Sequence, residues 1–174
     1  MRLLIVMTFL VLAGCSRVSI DEYAQTTPPL DLKTFFNGDL VAYGILQDRS
    51  GRVTRKFSAT IAASWEGEEG TLDEHFIFDD GEEQTRVWTL VHQGNNRYTG
   101  TAGDVVGTAS GQVAGSAFNW QYTLDVPWND GTIELNLDDW LYLVEEDHLI
   151  NRTDLKKFGF KVAELTLVIE KAGS

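Results

Sequence analysis

From Asp39 onward, apolar and polar side chains alternate in short runs, separated by clusters of Asp, Asn, Gly and Ser. A period of two is the signature of strands that bury one face. Val53–Trp65 places Val53, Phe57, Ala59, Ile61, Ala63 and Trp65 on one side, against Thr54, Lys56, Ser58, Thr60 and Ser64 on the other. The alternation is cleanest in Ala117–Val126, where Phe118, Trp120, Tyr122, Leu124 and Val126 oppose Asn119, Gln121, Thr123 and Asp125. The same pattern gives strands over Asp39–Gln47, Thr71–Phe78, Gln84–Val91, Arg97–Ala102 and Thr132–Leu143, with Phe160–Glu170 last. Asp79-Asp80-Gly81 and Asn129-Asp130-Gly131 are turns, since Asp-Gly between alternating runs is a strong hairpin cue. Two brief helical turns are expected. One covers Leu32–Phe36; the other follows a short strand Leu149–Arg152, is capped by Thr153 or Asp154 and ends at Gly159.

Gly103, Gly107, Gly111 and Gly115 stand four apart, a spacing that puts strand residues on one face. The series predicts that aromatic rings lie across the strand or that the sheet bends sharply there. It opens no phosphate loop, because no Gly-Lys-Ser/Thr follows. The whole pattern amounts to about nine or ten antiparallel strands with short polar turns and no long helix. Open sheets of that size curl or split, and closure removes their edges. The expected fold is therefore all-β, an antiparallel lipocalin-like (calycin-like) barrel, with a two-sheet β-sandwich as the alternative. The strands lack a lipid-facing apolar band with aromatic girdles, which argues against a transmembrane barrel.

The N-terminus has a different character. Arg2 precedes an apolar run, Leu3–Leu12, that is shorter than the ~20 residues needed to span a bilayer. It matches a secretory signal peptide with a small-residue cleavage site. Leu12-Ala13-Gly14-Cys15 reads as a lipobox, and Cys15 is the only cysteine of the chain. Acylation of Cys15 accounts for a lone thiol in an exported protein. Residues 1–14 are thus expected as signal peptide, 15–31 as lipidated N-terminus and polar tether, and 32–174 as the β-barrel domain. Ser16 rather than Asp after the cysteine points to the outer membrane, with the domain facing the periplasm and the lipid as its membrane contact.

Charge narrows the partners. With 26 acidic against 14 basic residues, the chain repels phosphate backbones and anionic headgroups, which argues against nucleic acid. No cysteine pair exists to staple the fold. Five Trp, nine Phe and five Tyr supply the packing, at ~150–250 Å² buried per ring.

Some polar residues fall on apolar faces. Glu74 shares a side with Leu72, Phe76 and Phe78; Asp139 stands between Leu137 and Leu141; Arg86 alternates with Trp88 and Leu90. Inside a barrel such charges must be paired. The bland reading is a structural ion-pair network or a solvated rim. The sharper one is a ligand site made of Arg86, Glu74, Asp139, Trp88, Trp120 and Tyr122, with Arg86 receiving a ligand carboxylate on its guanidinium fork. Catalytic signatures are weak. His75, His92 and His148 are too scattered for a metal motif, no Gly-x-Ser-x-Gly elbow occurs, and Asp138 and Asp139 must point to opposite faces. The residues give no cofactor and weigh against an enzyme.

Several runs together resemble one bacterial family: Leu72-Asp73-Glu74-His75-Phe76 with Arg86-Val87-Trp88, Tyr98–Gly107, Leu137–Tyr142, and Leu149–Arg152 with Lys157–Phe160. They resemble the uncharacterised lipoprotein family called domain of unknown function 3833, from about Phe35 to Lys171. The resemblance carries no catalytic residue. It implies a link to lipids, because genes of that family often neighbour genes for fatty-acid modification. The leading expectation is an envelope lipoprotein that binds or carries an apolar, fatty-acyl-like ligand. Its rivals are a structural or assembly lipoprotein with a filled barrel, and an enzyme or enzyme accessory acting on lipid.

Overall fold

The structure is a computed structural model that describes residues 18–173; the signal segment and Cys15 lie outside the described residues. Ten strands form one closed barrel: β1 (Gly38–Asp48), β2 (Val53–Glu66), β3 (Glu69–Phe78), β4 (Glu83–His92), β5 (Arg97–Thr101), β6 (Val105–Ala114), β7 (Ala117–Trp128), β8 (Gly131–Glu145), β9 (His148–Lys157) and β10 (Phe160–Lys171). Each strand pairs antiparallel with its sequence neighbour, and β1 closes on β10 from Leu40 opposite Lys171 to Asp48 opposite Ala163. Closure disposes of the sandwich alternative. The outer face of β2 shows Thr54, Lys56, Thr60, Ala62 and Ser64 to solvent, while Ala59, Ile61 and Ala63 are buried within.

The brief helical turn expected at 153–159 is instead strand. β9 runs on to Lys157, and the chain reverses at Phe158 and Gly159, with φ of 52° and 81°. Positive φ at both central residues is the hairpin geometry whose twist matches the strands on either side. Leu149, Asn151, Thr153 and Leu155 then share the inward face.

One end of the barrel is closed. A helical turn, α1 (Leu32–Phe35), is capped by the Asp31 carboxylate, which accepts from the Lys33 and Thr34 amides. Leu32, Phe35 and Phe36 are buried, and the Trp65 indole donates to the Phe36 carbonyl at 2.8 Å. The other end carries the β1–β2, β3–β4, β5–β6, β7–β8 and β9–β10 turns.

The segment expected as a polar tether is seated on the barrel over its described part. Ser19 caps a 3-10 turn, Ile20–Tyr23, and the Tyr23 ring covers Trp140 and Tyr142 on the outside of β8, with centroids 5.7 and 5.5 Å apart. Thr26 bonds Ser116, and the Leu30 amide donates to the Gly115 carbonyl at 2.8 Å. Two aromatic rings on an otherwise wet face need cover, and this segment supplies it.

The glycine series divides its work. Gly107 (φ 74°) lies within a register shift of β6 between Val106 and Ser110, so the sheet bends there. The Phe118 and Trp120 rings lie across Gly111, where a Cβ would collide with both and with the Asn119 carbonyl.

Candidate ligand site inside the barrel

The inward faces of β1–β4 and β7–β10, with Leu32 and Phe36 from the closed end, enclose a cavity of ≈ 130 Å³. Its wall is mainly apolar: Phe57, Ile61, Leu72, Leu90, Phe118, Leu141 and Leu167 contribute. All six residues expected at a ligand site, Glu74, Arg86, Trp88, Trp120, Tyr122 and Asp139, line this one space. The strand period explains why. Glu74 stands opposite Arg86 across the β3–β4 ladder, and Trp120 opposite Asp139 across β7–β8. Trp88 meets Trp120 edge-on at 5.8 Å and Tyr122 at 5.3 Å, so the aromatics form one interlocked group. Tight packing around the cavity keeps it small.

The charged groups stand on two sides of the cavity, one around Arg86 and the other at Asp139. The guanidinium of Arg86 grips Asp104 with its fork: Nε donates to Oδ1 and Oδ2 at 3.0 Å each, and Nη2 to Oδ2 at 2.7 Å. Its Nη1 lies 3.7 Å from Glu74 Oε2, and the guanidinium sits 5.7 Å from the Phe76 ring centroid. The carboxylate-binding edge expected for a ligand is thus held by Asp104, a residue of the chain itself. Across the cavity, the Tyr122 hydroxyl donates to Asp139 Oδ2 at 3.2 Å. Thr153 is paired opposite Asp139 on β9, but its hydroxyl donates to Asn151 Oδ1 at 3.2 Å. Glu74 Oε2 and Asp139 Oδ1 are buried without a hydrogen-bond partner among the described residues.

Desolvation governs how these groups titrate. Burial pushes the Glu74 carboxyl up to about 7, against the opposing pull of Arg86. Burial likewise lifts Asp139 to about 7, although the Thr153 and Tyr122 hydroxyls and Arg86 favour its charged form. Tyr122 is raised by burial and by the nearby Asp139, and stays protonated. Burial works against the charge of Arg86 too, but Asp104 and Glu74 overrule it and hold the guanidinium charged. At neutral pH the cavity therefore presents one charged guanidinium paired with Asp104 and two carboxyls poised between acid and base.

Asp138 points outward as its parity requires, accepting from Lys156 at 2.7 Å and Asn119 at 3.0 Å. The three histidines stand apart, each beside a surface carboxylate: His75 with Glu83, His92 with Glu68, His148 with Asp147. Asp104, Asn151 and Thr153 are the residues that the strand pattern missed. Asn151 already falls on the side of Leu149 in the expected strand 149–152, and continuing the alternation past Arg152 finds Thr153; nothing local in the sequence joins Asp104 to Arg86.

The chain belongs to the family described as "Protein of unknown function (DUF3833)", which matches residues 9–171. Among solved structures, the S-type phycobiliprotein lyase of Guillardia theta is similar at 8% identity, over 91% of this chain and 95% of that one, with a TM-score of 0.57. A de novo designed fluorescence-activating β-barrel matches at 12% identity over 82% and 98% of the two chains, with a TM-score of 0.43. The likeness to the lyase is one of fold. No curated protein matches the chain.

Proposed function

We propose that this is a cell-envelope lipoprotein, anchored through acylated Cys15 to the outer membrane, whose barrel takes up an apolar small molecule or part of an acyl chain. The observation that carries the reading is the interior itself: an apolar cavity into which a few polar groups converge, the usual make-up of a small-molecule site. Size limits the cargo. A cavity of ≈ 130 Å³ approaches the ~150 Å³ engineered cavity that admits benzene and falls below the ~300–1,000 Å³ of drug-sized pockets. It suits a ring or a short stretch of chain, and a longer chain must project from the mouth or displace side chains.

The test uses the full chain carrying Cys15→Ser, which removes the acylated thiol, and 8-bromo-octanol as a quencher of Trp88 and Trp120. Saturable quenching that disappears in Ala59→Phe, where the new ring fills the cavity, supports the reading. Equal quenching in both proteins overturns it. A second reading, a structural or assembly lipoprotein whose barrel is filled by its own side chains, draws support from the interlocked Trp88, Trp120 and Phe118 rings.

A further inference from the structure

The polar end of the ligand is constrained by what the charged groups of the cavity leave unpaired. Arg86 is the only basic residue on the cavity wall among the described residues, and its fork already holds Asp104, with Glu74 on its remaining edge. Asp104 holds the Nε–Nη2 edge, and a ligand carboxylate approaching Nη1 would meet Glu74, whose Oε2 lies 3.7 Å from that nitrogen. Such a carboxylate would also lie near Asp139, and both residues repel it when ionised. The buried atoms on the cavity wall without a hydrogen-bond partner are of the opposite kind. Glu74 Oε2 and Asp139 Oδ1 are buried carboxyl oxygens, the Glu74 side chain being 14% exposed and residue Asp139 9%, and both residues line the cavity. Buried oxygens left without a donor are costly, and a ligand that supplies one recovers that cost. They sit on β3 and β8, half-way round the barrel from each other in the strand order, so the cavity runs between them. The neighbouring donors are engaged: Tyr122 with Asp139 Oδ2, Asn151 Nδ2 with the Trp140 carbonyl at 3.4 Å, and the Thr153 hydroxyl, which faces Asp139 and favours its charged form, with Asn151 Oδ1 at 3.2 Å.

We infer that the barrel selects apolar molecules ending in a hydrogen-bond donor, a hydroxyl or an amine, and discriminates against free carboxylates. The inference rests on the proposed binding function and narrows it: the expected ligand is an alcohol, an amine or a hydroxylated chain, not a fatty acid in its ionised form. Donation from the ligand to Glu74 Oε2 or Asp139 Oδ1 leaves the Arg86–Asp104 pair intact.

Three probes of one chain length test this: octanol, octylamine and octanoate, titrated at pH 8 into the full chain carrying Cys15→Ser, with tryptophan fluorescence as the readout. Octanol and octylamine are expected to bind at least about tenfold more tightly than octanoate, the cost of one unmatched buried polar group. At pH 6, where both carboxyls largely hold their protons and octanoate keeps its charge, the handicap of octanoate shrinks. It shrinks also at pH 8 in Glu74→Gln/Asp139→Asn, which removes both negative charges. Octanoate binding as tightly as octanol at pH 8 overturns the inference and leaves the binding function standing. Failure of all three probes to bind overturns the binding function, and the inference with it. The wild-type pH comparison decides the matter even if the double variant does not fold.

Discussion

Replacing Asp139 with Asn removes a buried charge at nearly constant shape, and the consequence depends on pH in a direction the structure fixes. In the unfolded chain the Asp139 carboxyl titrates at its ordinary 3.8; in the folded barrel burial raises it to about 7. Below pH 4 both states hold the proton, and the residue adds no pH dependence. Between about 4 and 7 the folded state keeps a proton that the unfolded chain releases, so stability falls as pH rises through this window. Above 7 the folded carboxylate bears its full desolvation. The rise from 3.8 to about 7 is worth about 4 kcal/mol, at ~1.36 kcal/mol for each tenfold change in proton affinity. The groups facing Asp139 are Thr153, Tyr122, Arg86, Glu74 from across the cavity and, on its own strand, Asp138. The substituted side chain would still accept from Tyr122 but would place an amide where Oδ1 now stands, a pH-independent cost of about 1–3 kcal/mol if it finds no partner. The quantity to measure is therefore the stability gap between wild type and Asp139→Asn, from urea unfolding followed by tryptophan fluorescence at pH 4 to 8. The gap should swing in the variant's favour by up to about 4 kcal/mol on going from pH 4 to pH 8. His148, whose proton is held more tightly by Asp147, also loses a stabilising contribution as pH rises, but it cancels between the two proteins. A gap that does not change with pH, or that swings towards wild type, would refute the picture of a buried, reluctantly charged carboxyl.

Two further outcomes follow, one from the fold and one from the proposed anchor. Gly111→Ala drives a methyl into the Asn119 carbonyl and the Trp120 and Phe118 rings, and should lower stability by about 1–3 kcal/mol in the same urea assay; an unchanged midpoint would show that the rings are free to move aside. Cys15→Ser should move the protein from the membrane fraction to the soluble envelope fraction, and retention in the membrane would remove the lipid anchor from the account.

Much of the barrel is legible in the sequence because a strand with one buried face writes its own parity. Phe118, Trp120 and Tyr122 could occupy only one side of β7, and Glu74, Arg86 and Asp139 had to join their apolar neighbours inside. What parity cannot express is which partner a charge takes. Arg86 looks available to a ligand in sequence, and the structure gives its fork to Asp104, from a turn 18 residues on. The stretch 153–159 misleads for a different reason: Thr153 and Asp154 are good cap residues and Gly159 a good terminator, but pairing with β8 and β10 outweighs that local preference. Polar residues 18–31 read as linker because their few contacts are with distant elements. Trp140 and Tyr142, aromatic residues on the outward parity of β8, were the signal that something covers them.

Whether the barrel has cargo is tested most directly by native mass spectrometry of the full chain carrying Cys15→Ser, purified without detergent and exposed to a lipid extract of bacterial envelope. The account predicts a one-to-one adduct of a small apolar molecule bearing a hydroxyl or amine, absent in Ala59→Phe. Bare protein in both samples would contradict it and leave a barrel filled by its own side chains.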